Sequence, residues 1–430
     1  MKIYIRTFGC QMNTRDSEAV LGLFLERGCS VAATAEDADV VLVNTCSVRE
    51  HAESRALSFV GTFKKLKIRP IVGLIGCMAI NKGAEIFKKM RHIDLICGPG
   101  SLDKIPDYID KIVLEKVRII NIEDIERNEH LYNAEFRDES DHAQVVISTG
   151  CSNFCSYCVV PYVRGKIRLR NPEDILKEVK RNISLGIKKI TLLGQNVNDY
   201  KYRLQTSDLR HQTEDIIQET LDLRLQTREI DDRPQTEKSR CQKSEVRDHR
   251  PDSALKTEED IGEIKRGETV SFVDLLRMVE QVEGLEEINF ITSQPKNTSK
   301  ELFTLMAKSS KISKNLHLPF QSGSNRILKL MKRGYSREKY LDLVFDFKKI
   351  VGGELSTDVI IGFPTETEQD FEQTKEIIEQ VKFRRSYIFK YSPRDKAKSA
   401  NMKDDVPSED KSRRHKVLLD LQKKISGEMQ

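Results

Sequence analysis

The stretch Gly150-Cys151-Ser152-Asn153-Phe154-Cys155-Ser156-Tyr157-Cys158 carries three cysteines at the spacing CxxxCxxC. Cysteines this close in sequence can bring their thiolates together on a single metal centre. A 4Fe–4S cluster takes a thiolate on each of its four irons. Three cysteines would leave one iron open to a ligand from outside the chain. The stretch therefore predicts a cluster that takes part in chemistry rather than one that only carries electrons.

Zinc binding or a purely structural role are the other uses of such cysteines. Structural zinc sites close a tetrahedron with two CxxC or Cys/His pairs, and the sequence places no fourth ligand near this loop. The nearest histidine, His142, precedes the strand that is predicted to lead into the loop. The spacing and its context favour the cluster.

Length and composition describe a chain with more than one core. Its 430 residues favour two or three domains, and 38% hydrophobic with 32% charged residues are typical of a soluble protein. No apolar run approaches the roughly 18 residues of a membrane span, and the sequence begins directly with a strand rather than a signal peptide. We therefore expect a cytoplasmic monomer, in which nine cysteines serve as ligands or buried thiols rather than disulfides.

The net charge of +5 permits binding to nucleic acid without requiring it.

The first 120 residues alternate predicted strands and helices, which predicts a doubly wound parallel α/β sheet. The strands are Ile3–Thr7, Val40–Asn44, Ile71–Ile75, Asp94–Cys97 and Val117–Ile120, and the helices are Asp16–Arg27, Arg49–Lys64 and Asn81–Met90.

A second set of three cysteines follows the first three of these strands. Cys10, Cys46 and Cys77 each come shortly after a strand end. Because ligands of parallel sheets gather at the carboxyl ends of the strands, we expect these three side chains to be neighbours. They form a second site that is one ligand short of a cluster.

The remaining cysteines are not expected to bind metal. Cys29 follows a helix and Cys97 ends a buried strand, which favours packed thiols. Cys241 lies in a polar segment and is interpreted as incidental.

A second alternation begins at residue 143, after an acidic, irregular connector at 121–142. Six strand–helix units predict a partial TIM-like (β/α)6 barrel over 143–400, with its site at the carboxyl ends of the strands. The predicted strands are 144–148, 188–193, 286–292, 314–318, 355–361 and 385–391.

The segment 201–268 interrupts this barrel. It is highly charged and repeats a short pattern, as in Arg203-Leu-Gln-Thr and Arg224-Leu-Gln-Thr. Such a composition cannot bury enough apolar surface to fold alone. We expect a largely disordered insertion; an additional RNA-contacting arm is the alternative, but its mixed charge disfavours that role. The C-terminal residues 401–430 predict a basic helix at about Ser408–Ile425, interpreted as a solvated amphipathic face.

The CxxxCxxC motif, with Tyr157 before its third cysteine, resembles that of the radical S-adenosylmethionine (SAM) superfamily. The resemblance implies that the open iron binds the amino and carboxylate groups of SAM, whose reductive cleavage yields a 5′-deoxyadenosyl radical. The barrel preceded by a three-cysteine domain resembles the methylthiotransferases, and among them the tRNA 2-methylthio-N6-isopentenyladenosine synthases. Four segments carry this closer resemblance: Gly9-Cys10-Gln11-Met12-Asn13, Asn44-Thr45-Cys46-Ser47-Val48-Arg49-Glu50, Cys158-Val159-Val160-Pro161-Tyr162 with Arg164-Gly165, and Leu193-Gly194-Gln195-Asn196-Val197-Asn198.

The resemblance covers residues 1–200 and 270–425 and implies a specific activity. Two 4Fe–4S clusters, one on Cys10, Cys46 and Cys77 and one on Cys151, Cys155 and Cys158, would serve SAM cleavage and sulfur insertion. The product would be a methylthio group on C2 of N6-isopentenyladenosine at position 37 of tRNAs that read codons beginning with U. The implied partners are the tRNA anticodon stem-loop and a reducing electron donor of the flavodoxin or ferredoxin type. Such an inert C–H bond needs a cofactor rather than side-chain acid–base catalysis, and a loop base can be splayed into a pocket.

Several strand-end residues of the barrel are candidate contacts of SAM or substrate. No catalytic side chain is assigned. The candidates are Gln195, Asn196, Ser293, Gln321 and Asp358, together with Arg164, which with Arg170 is expected to neutralise the SAM carboxylate or tRNA phosphates.

The sequence departs from the family pattern in three places. Ile167 and Leu169 stand where the family usually has Glu and Ser, and Gln294 stands where it usually has His before Pro295. The family's C-terminal RNA-binding (TRAM) β-barrel is expected to be missing after about Gln422. Two alternatives are retained. One is a methylthiotransferase acting on threonylcarbamoyl adenosine or a ribosomal protein, against which the Gln11-Met12-Asn13 and Gln195–Asn198 segments argue. The other is an impaired iron–sulfur RNA-binding homologue, which the six cysteines disfavour and the expected missing domain leaves open.

Overall fold

The computed structural model describes residues 1–47, 50–66, 69–123, 131–132, 136–137, 141–204 and 269–428. These belong to two compact units, one made of Met1–Lys201 with Ser271–Gln430 and the other of Tyr202–Val270. In the second unit, the described residues contribute to two short strands that pair with each other, β11 (Lys201–Arg203) and β12 (Thr269–Ser271). Most of the predicted insertion, including Cys241 and the repeat at Arg224, lies outside the described residues.

The first 121 residues contain a six-stranded sheet in which every strand pair is parallel, in the order β2-β1-β3-β4-β5-β6. Its strands are β1 (Lys2–Phe8), β2 (Ser30–Val31), β3 (Val40–Thr45), β4 (Ile71–Gly76), β5 (Leu95–Cys97) and β6 (Ile119–Asn121), and its helices are α1 (Gln11–Glu26), α2 (Glu50–Thr62), α3 (Cys77–Lys89) and α4 (Ile105–Glu115). One apolar core packs α1 and α4 on one face of the sheet, and another packs α2 and α3 on the opposite face. Helices on both faces confirm the predicted doubly wound α/β sheet.

Two helices begin earlier than the sequence predicts. Helix α1 begins at Gln11 rather than Asp16, and α3 begins at Cys77 rather than Asn81. Neither has a side-chain cap, because the residues before them are Cys10 and Gly76 rather than Ser, Thr, Asp or Asn. The early starts place Cys10 and Cys77 at the amino ends of helices.

The barrel strands run in chain order. The parallel sheets β7-β10-β13 and β14-β15-β16 are joined by a parallel bridge between Ile288 and Ile312, so the strands form one open barrel. The barrel strands are β7 (His142–Val146), β10 (Lys189–Leu193), β13 (Glu287–Ile291), β14 (Leu316–His317), β15 (Leu355–Ile361) and β16 (Arg385–Lys390), and the shorter strands are β8 (Ser148–Thr149), β9 (Arg168–Leu169), β11 (Lys201–Arg203) and β12 (Thr269–Ser271).

Helices follow the barrel strands on the outside. They are α5 (Val160–Val163), α6 (Pro172–Ser184), α7 (Phe272–Glu280), α8 (Lys300–Lys308), α9 (Asn325–Leu330), α10 (Arg337–Ile350), α11 (Glu368–Val381) and α12 (Ser408–Glu428). The basic helix α12 packs against β16, and its Arg413 and Arg414 pair with Glu368. Some charged residues of this helix therefore form ion pairs with the barrel, in addition to those that face water.

The α/β sheet and the barrel share one apolar core. Val146 and Leu193, at the carboxyl ends of β7 and β10, are buried in the same cluster as residues of α1. Leu131 and Tyr132, from the segment predicted as a simple connector, are also buried in it. This packing places the two sets of three cysteines in one compact unit. Among the described residues, no helix combines the length and apolar character that a bilayer crossing requires.

Candidate functional site

The CxxxCxxC loop follows β8, at the carboxyl end of the first barrel strand, where barrel sites are expected. Cys151 and Cys155 are buried and Cys158 is partly buried. Burial raises the pKa of Cys158 to about 12, and the neighbouring Cys155 thiolate adds to the shift. Burial also raises the pKa of Cys151, with a contribution from Cys155. Thiols of this kind need a bound cation to ionise, and an iron centre supplies one.

A buried arginine from a distant part of the chain supports this loop. Arg333 donates from Nη1 to Cys155 Sγ at 3.4 Å and to the Tyr157 hydroxyl at 3.3 Å. The backbone of the loop is held by the segment before Arg333, because Ser156 N donates to Met331 O at 3.1 Å. No motif in the sequence pointed to Arg333.

Three polar atoms at the carboxyl ends of β7, β10 and β13 are buried without a hydrogen-bond partner among the described residues. They are Ser148 Oγ, Asn196 Oδ1 and Ser293 Oγ. The strand ends lie side by side, because Leu193 pairs with both Val146 and Ile291. Unpaired buried polar atoms are costly, so this row suits a polar ligand. The amino, carboxylate and ribose groups of SAM are ligands of that chemistry.

Asp199 links the cysteine loop to this row, and sequence reasoning missed it. Asp199 Oδ2 accepts from Asn196 Nδ2 at 2.5 Å and from Asn153 Nδ2 at 3.5 Å, and its Oδ1 accepts from Asn297. The only available signal was its position directly after the Gln195–Asn198 run. Gln294, which replaces the family's usual histidine, accepts at Oε1 from Asn196 Nδ2 at 3.2 Å.

The other predicted contacts of SAM or substrate in the barrel differ in burial and in their position relative to the strand ends. Gln195 is half-buried next to Asn196, and Gln321 is buried after β14 with a φ of 68°. Asp358 is not at a strand end, as the sequence predicted, but in the middle of β15, where His317 Nε2 lies 3.4 Å from its Oδ2. The predicted strand 355–361 was right, so the error came from assigning Asp358 to its end.

The α/β sheet brings Cys10, Cys46 and Cys77 to one edge, after β1, β3 and β4. A hydrogen bond from Cys46, together with the Arg164 charge, lowers the pKa of Cys10 to about 6 although burial opposes the shift. Cys10 and Cys77 stand at helix amino ends, whose partial positive charge favours thiolates, although burial raises the pKa of Cys77 against the opposing charge of Arg164. The donor set and its electrostatics therefore fit an anionic iron–sulfur cluster with three protein ligands.

The motif residues around these cysteines form a buried frame. Asn13 Nδ2 donates to Asn44 Oδ1 at 2.9 Å, and Asn44 Nδ2 donates back to Asn13 O at 2.9 Å. Gly76 has a φ of 92°, and a Cβ there would lie 2.3 Å from Asn44 Oδ1. The frame thus requires glycine immediately before Cys77.

The structure corrects the prediction for Arg164. Its guanidinium lies at the second cysteine site, where Nε donates to Cys77 Sγ at 3.0 Å and Nη2 donates to Asp16 Oδ2 at 2.9 Å. Asp16 also accepts from the Tyr132 hydroxyl at 3.0 Å. Sequence spacing could not predict this, because Arg164 and Cys77 meet only through the packing of the barrel on the sheet.

The structure also corrects the prediction that Arg170 neutralises the SAM carboxylate or tRNA phosphates, because its side chain is buried and paired with an acid. It donates from Nη1 to Glu178 Oε2 at 2.5 Å, and Glu178 Oε1 accepts from Arg15 and Arg137 at 3.2 and 2.9 Å. All four side chains are at most 4% exposed. This cluster joins α1 to the barrel and has a structural role.

Within the described ranges, no three His, Cys, Asp or Glu side chains are close enough to hold a single metal ion. The fit of each cysteine site to a cluster rests on its thiol donors, its buried cation and its helix or strand termini.

Comparison with known proteins decides between the enzyme families. The model of the radical SAM superfamily matches residues 145–239 and 252–378, and a model described as uncharacterized protein family UPF0004 matches residues 2–98. The chain is 35% identical over 433 aligned residues to the tRNA-2-methylthio-N(6)-dimethylallyladenosine synthase of Natranaerobius thermophilus, covering 99% of this chain and 82% of the relative. The chain belongs to this family of radical SAM enzymes.

Other members of the family match to the same extent. The synthase of Moorella thermoacetica is 36% identical, with 98% of this chain and 82% of that relative covered. A synthase of Clostridium botulinum is 36% identical, with 99% and 82% covered. The chain therefore spans about four fifths of the length of these relatives.

Solved structures support the fold. The radical SAM methyltransferase TsrM of Kitasatospora setae, solved with tryptophan and a SAM analogue, has a TM-score of 0.52 at 11% identity, covering 90% of this chain and 72% of TsrM. The cobalamin-dependent radical SAM enzyme OxsB has a TM-score of 0.51 at 10% identity, covering 96% of this chain and 56% of OxsB. Radical SAM membership implies SAM and one 4Fe–4S cluster, and the CxxxCxxC loop offers three cysteine thiols to such a cluster.

Proposed function

We propose that this chain is a radical SAM methylthiotransferase that carries two 4Fe–4S clusters and adds a methylthio group to C2 of N6-isopentenyladenosine at position 37 of tRNA. The substrate tRNAs are those that read codons beginning with U. The names of the relatives support the reaction, and the motif segments around Cys10, Cys46 and Asn196 support the choice of base.

One structural observation carries the two-cluster proposal. Each half of the compact unit holds three cysteines: Cys10, Cys46 and Cys77 follow three parallel strands of the sheet, and Cys151, Cys155 and Cys158 lie in one loop after β8. Arg164, which closes the segment after Cys158, contacts Cys77 directly. The two cysteine sites are thus connected by a short stretch of chain and one side chain.

The residues of each site have separate tasks. When bound, the barrel cluster supplies the electron that cleaves SAM. Ser148, Asn196 and Ser293 present unpaired polar atoms that can orient SAM next to Cys151, Cys155 and Cys158, with Asp199 fixing the amide of Asn196. Cys10, Cys46 and Cys77 would hold the second cluster, which serves as the sulfur source or its carrier.

The rim of the barrel offers a surface for an anionic RNA backbone. A cavity of about 510 Å³ is lined by Lys329, Lys332, Gly334 and Tyr335, among other residues. Lys296 borders it, because a Cβ on Gly334 would lie 3.2 Å from its Cδ. These three lysines are exposed. Tyr335 and Arg333 connect this rim to the cysteine loop, so a bound backbone would lie near the radical site.

The proposal also includes an electron donor, a site of tRNA recognition, an oligomeric state and a location. Cleavage of SAM requires a low-potential electron donor of the flavodoxin or ferredoxin type. The tRNA partner is recognised at its anticodon stem-loop, and the enzyme works as a cytoplasmic monomer.

Anaerobic reconstitution with iron and sulfide tests the proposal. We expect about eight irons per chain, and about four in each of two variants, Cys10→Ala/Cys46→Ala/Cys77→Ala and Cys151→Ala/Cys155→Ala/Cys158→Ala. Incubation with SAM, dithionite and prenylated tRNA should then give 5′-deoxyadenosine and a methylthiolated base. About four irons in the parent chain would refute the two-cluster mechanism. Eight irons and SAM cleavage without modified tRNA would refute the assigned substrate.

A further inference from the structure

Arg164 is built into the second cysteine site rather than placed next to it. The residue is 7% exposed and contacts Cys77 Sγ and Asp16 Oδ2 through two of its three nitrogens. The third, Nη1, is buried and has no hydrogen-bond partner among the described residues. A buried, unpaired guanidinium donor is costly, so it indicates an acceptor that occupies the site in the loaded protein.

We propose that Arg164, a barrel residue, is the charge-compensating and positioning residue of the N-terminal cluster on Cys10, Cys46 and Cys77. Its guanidinium holds the Cys77 sulfur and stabilises the negative charge of the cluster, and the opposing carboxylate of Asp16 limits that effect. This inference rests on the proposed function in one respect, which is that a second cluster exists.

The sign of the effect follows from charge. Three thiolates make the site anionic, and one-electron reduction adds a further negative charge. A fixed cation in a buried, low-dielectric environment stabilises the reduced form more than the oxidised form. Arg164 therefore raises the reduction potential of the N-terminal cluster, and Asp16 lowers it.

The same contacts connect the two cysteine sites. Arg164 ends α5, the short helix that begins just after Cys158. Asp16 lies on α1, which begins beside Cys10, and is fixed from the other side by the Tyr132 hydroxyl. Arg164 therefore lies between the two cysteine sites and contacts the N-terminal one directly.

The experiment uses the full chain carrying Cys151→Ala/Cys155→Ala/Cys158→Ala, so that only the N-terminal cluster forms. Iron content, the EPR spectrum of the reduced cluster and its midpoint potential are measured with Arg164→Gln, Arg164→Lys and Asp16→Asn. We expect Arg164→Gln to lower the equilibrium constant for reduction of the N-terminal cluster about tenfold, which is a fall of about 59 mV in its midpoint potential for one electron. Arg164→Lys should recover most of the loss, and Asp16→Asn should shift the potential in the opposite direction.

Opposite shifts for Arg164→Gln and Asp16→Asn separate an electrostatic role from general damage. Arg414→Gln is the matched control, since Arg414 is also buried and paired with an acid, Glu366, but contacts no cysteine; it should leave the potential unchanged. If Arg164→Gln binds no iron, the potential of Asp16→Asn is the test: a rise supports the electrostatic role of the Arg164–Asp16 pair, and an unchanged potential overturns it. Equal potentials in all variants would overturn the inference while leaving the second cluster intact. A background chain without iron would overturn the two-cluster proposal, and the inference with it.

Discussion

The guanidinium of Arg333 lies 3.4 Å from the sulfur of Cys155, although 178 residues separate them in sequence. Arg333 is buried, and its other donors bind the hydroxyl of Tyr335 and the carbonyl of Pro319. It joins the loop after β14 to the loop after β8, across the opening of the barrel. The arginine is therefore placed both to position Cys155 and to offset its charge.

Replacing Arg333 with Gln is expected to slow dithionite-driven cleavage of SAM by roughly 10- to 100-fold, because a charge-assisted hydrogen bond worth about 1.5–3 kcal/mol is lost. The iron content should stay near that of the parent, since all the cysteines remain. The measurement is 5′-deoxyadenosine production by reconstituted protein lacking the N-terminal cysteines. Arg326→Gln is the control, because Arg326 is half-exposed and binds Asp370 instead of a cysteine. Equal rates for the two variants would contradict the role of Arg333.

Ser293→Ala is expected to weaken SAM binding without destabilising the chain. The hydroxyl is buried and unpaired among the described residues, so its removal relieves a cost in the empty protein and loses a hydrogen bond, worth about 1 kcal/mol, in the complex. Calorimetry on the reconstituted protein should show a Kd roughly fivefold higher. Ser386→Ala deletes another unpaired buried hydroxyl, at the amino end of β16, and should leave the Kd unchanged. A matching loss of affinity in both variants would argue against a SAM site at this row.

Glu178→Gln is expected to destabilise the chain by about 3–5 kcal/mol, because it leaves the charges of Arg15, Arg137 and Arg170 uncompensated in a buried cluster. Urea denaturation measures the change. Glu286→Gln removes an exposed partner of Lys188 and should leave the unfolding midpoint unchanged. A midpoint for Glu178→Gln equal to that of Glu286→Gln would contradict the structural role of the cluster.

The same cluster predicts a pH dependence. Burial raises the pKa of Glu178, but Arg170, Arg15 and Arg137 outweigh it and hold the pKa below its usual value. The folded pKa is therefore lower than the unfolded value of about 4.3. The stabilisation is fully present above pH 4.3 and is lost as the pH falls through the folded pKa. The difference in unfolding free energy between the parent and Glu178→Gln should accordingly be constant near neutral pH and shrink in acid.

Lys329→Gln/Lys332→Gln is expected to weaken tRNA binding and to flatten its salt dependence. Each phosphate contact that is lost should reduce the slope of log K against log[salt] by about 0.7–0.9, so the double variant should lose roughly 1.5. Filter binding or fluorescence anisotropy with prenylated tRNA at several salt concentrations gives the slope. Lys180→Gln/Lys308→Gln removes two exposed lysines from the C-terminal halves of α6 and α8, on the side of the barrel opposite the carboxyl ends of the strands. This double variant should keep the parental slope. An unchanged slope in the Lys329/Lys332 variant would place the RNA elsewhere.

The sequence was most informative where its signal is local. Alternating strands and helices predicted the parallel sheet and the six barrel strands, with 355–361 matching β15 residue for residue. The start of α1 was placed too late because Cys10 is not a residue that ordinarily caps a helix. Asp358 was assigned to a strand end although it is the middle residue of β15, because the sequence alone does not show which residue of a strand lies level with the opening of the barrel.

The sequence by itself predicted both sets of three cysteines. Close spacing puts Cys151, Cys155 and Cys158 in one loop, and Cys10, Cys46 and Cys77 come together because parallel strands of one sheet end at one edge whatever the details of packing. Only the tertiary structure decided which charges serve those sites. Arg164 reaches Cys77, and Arg333 reaches Cys155, over separations of 87 and 178 residues. Such contacts arise when apolar faces pack together and bring distant buried charges into one low-dielectric interior. No periodicity or spacing in the chain encodes them.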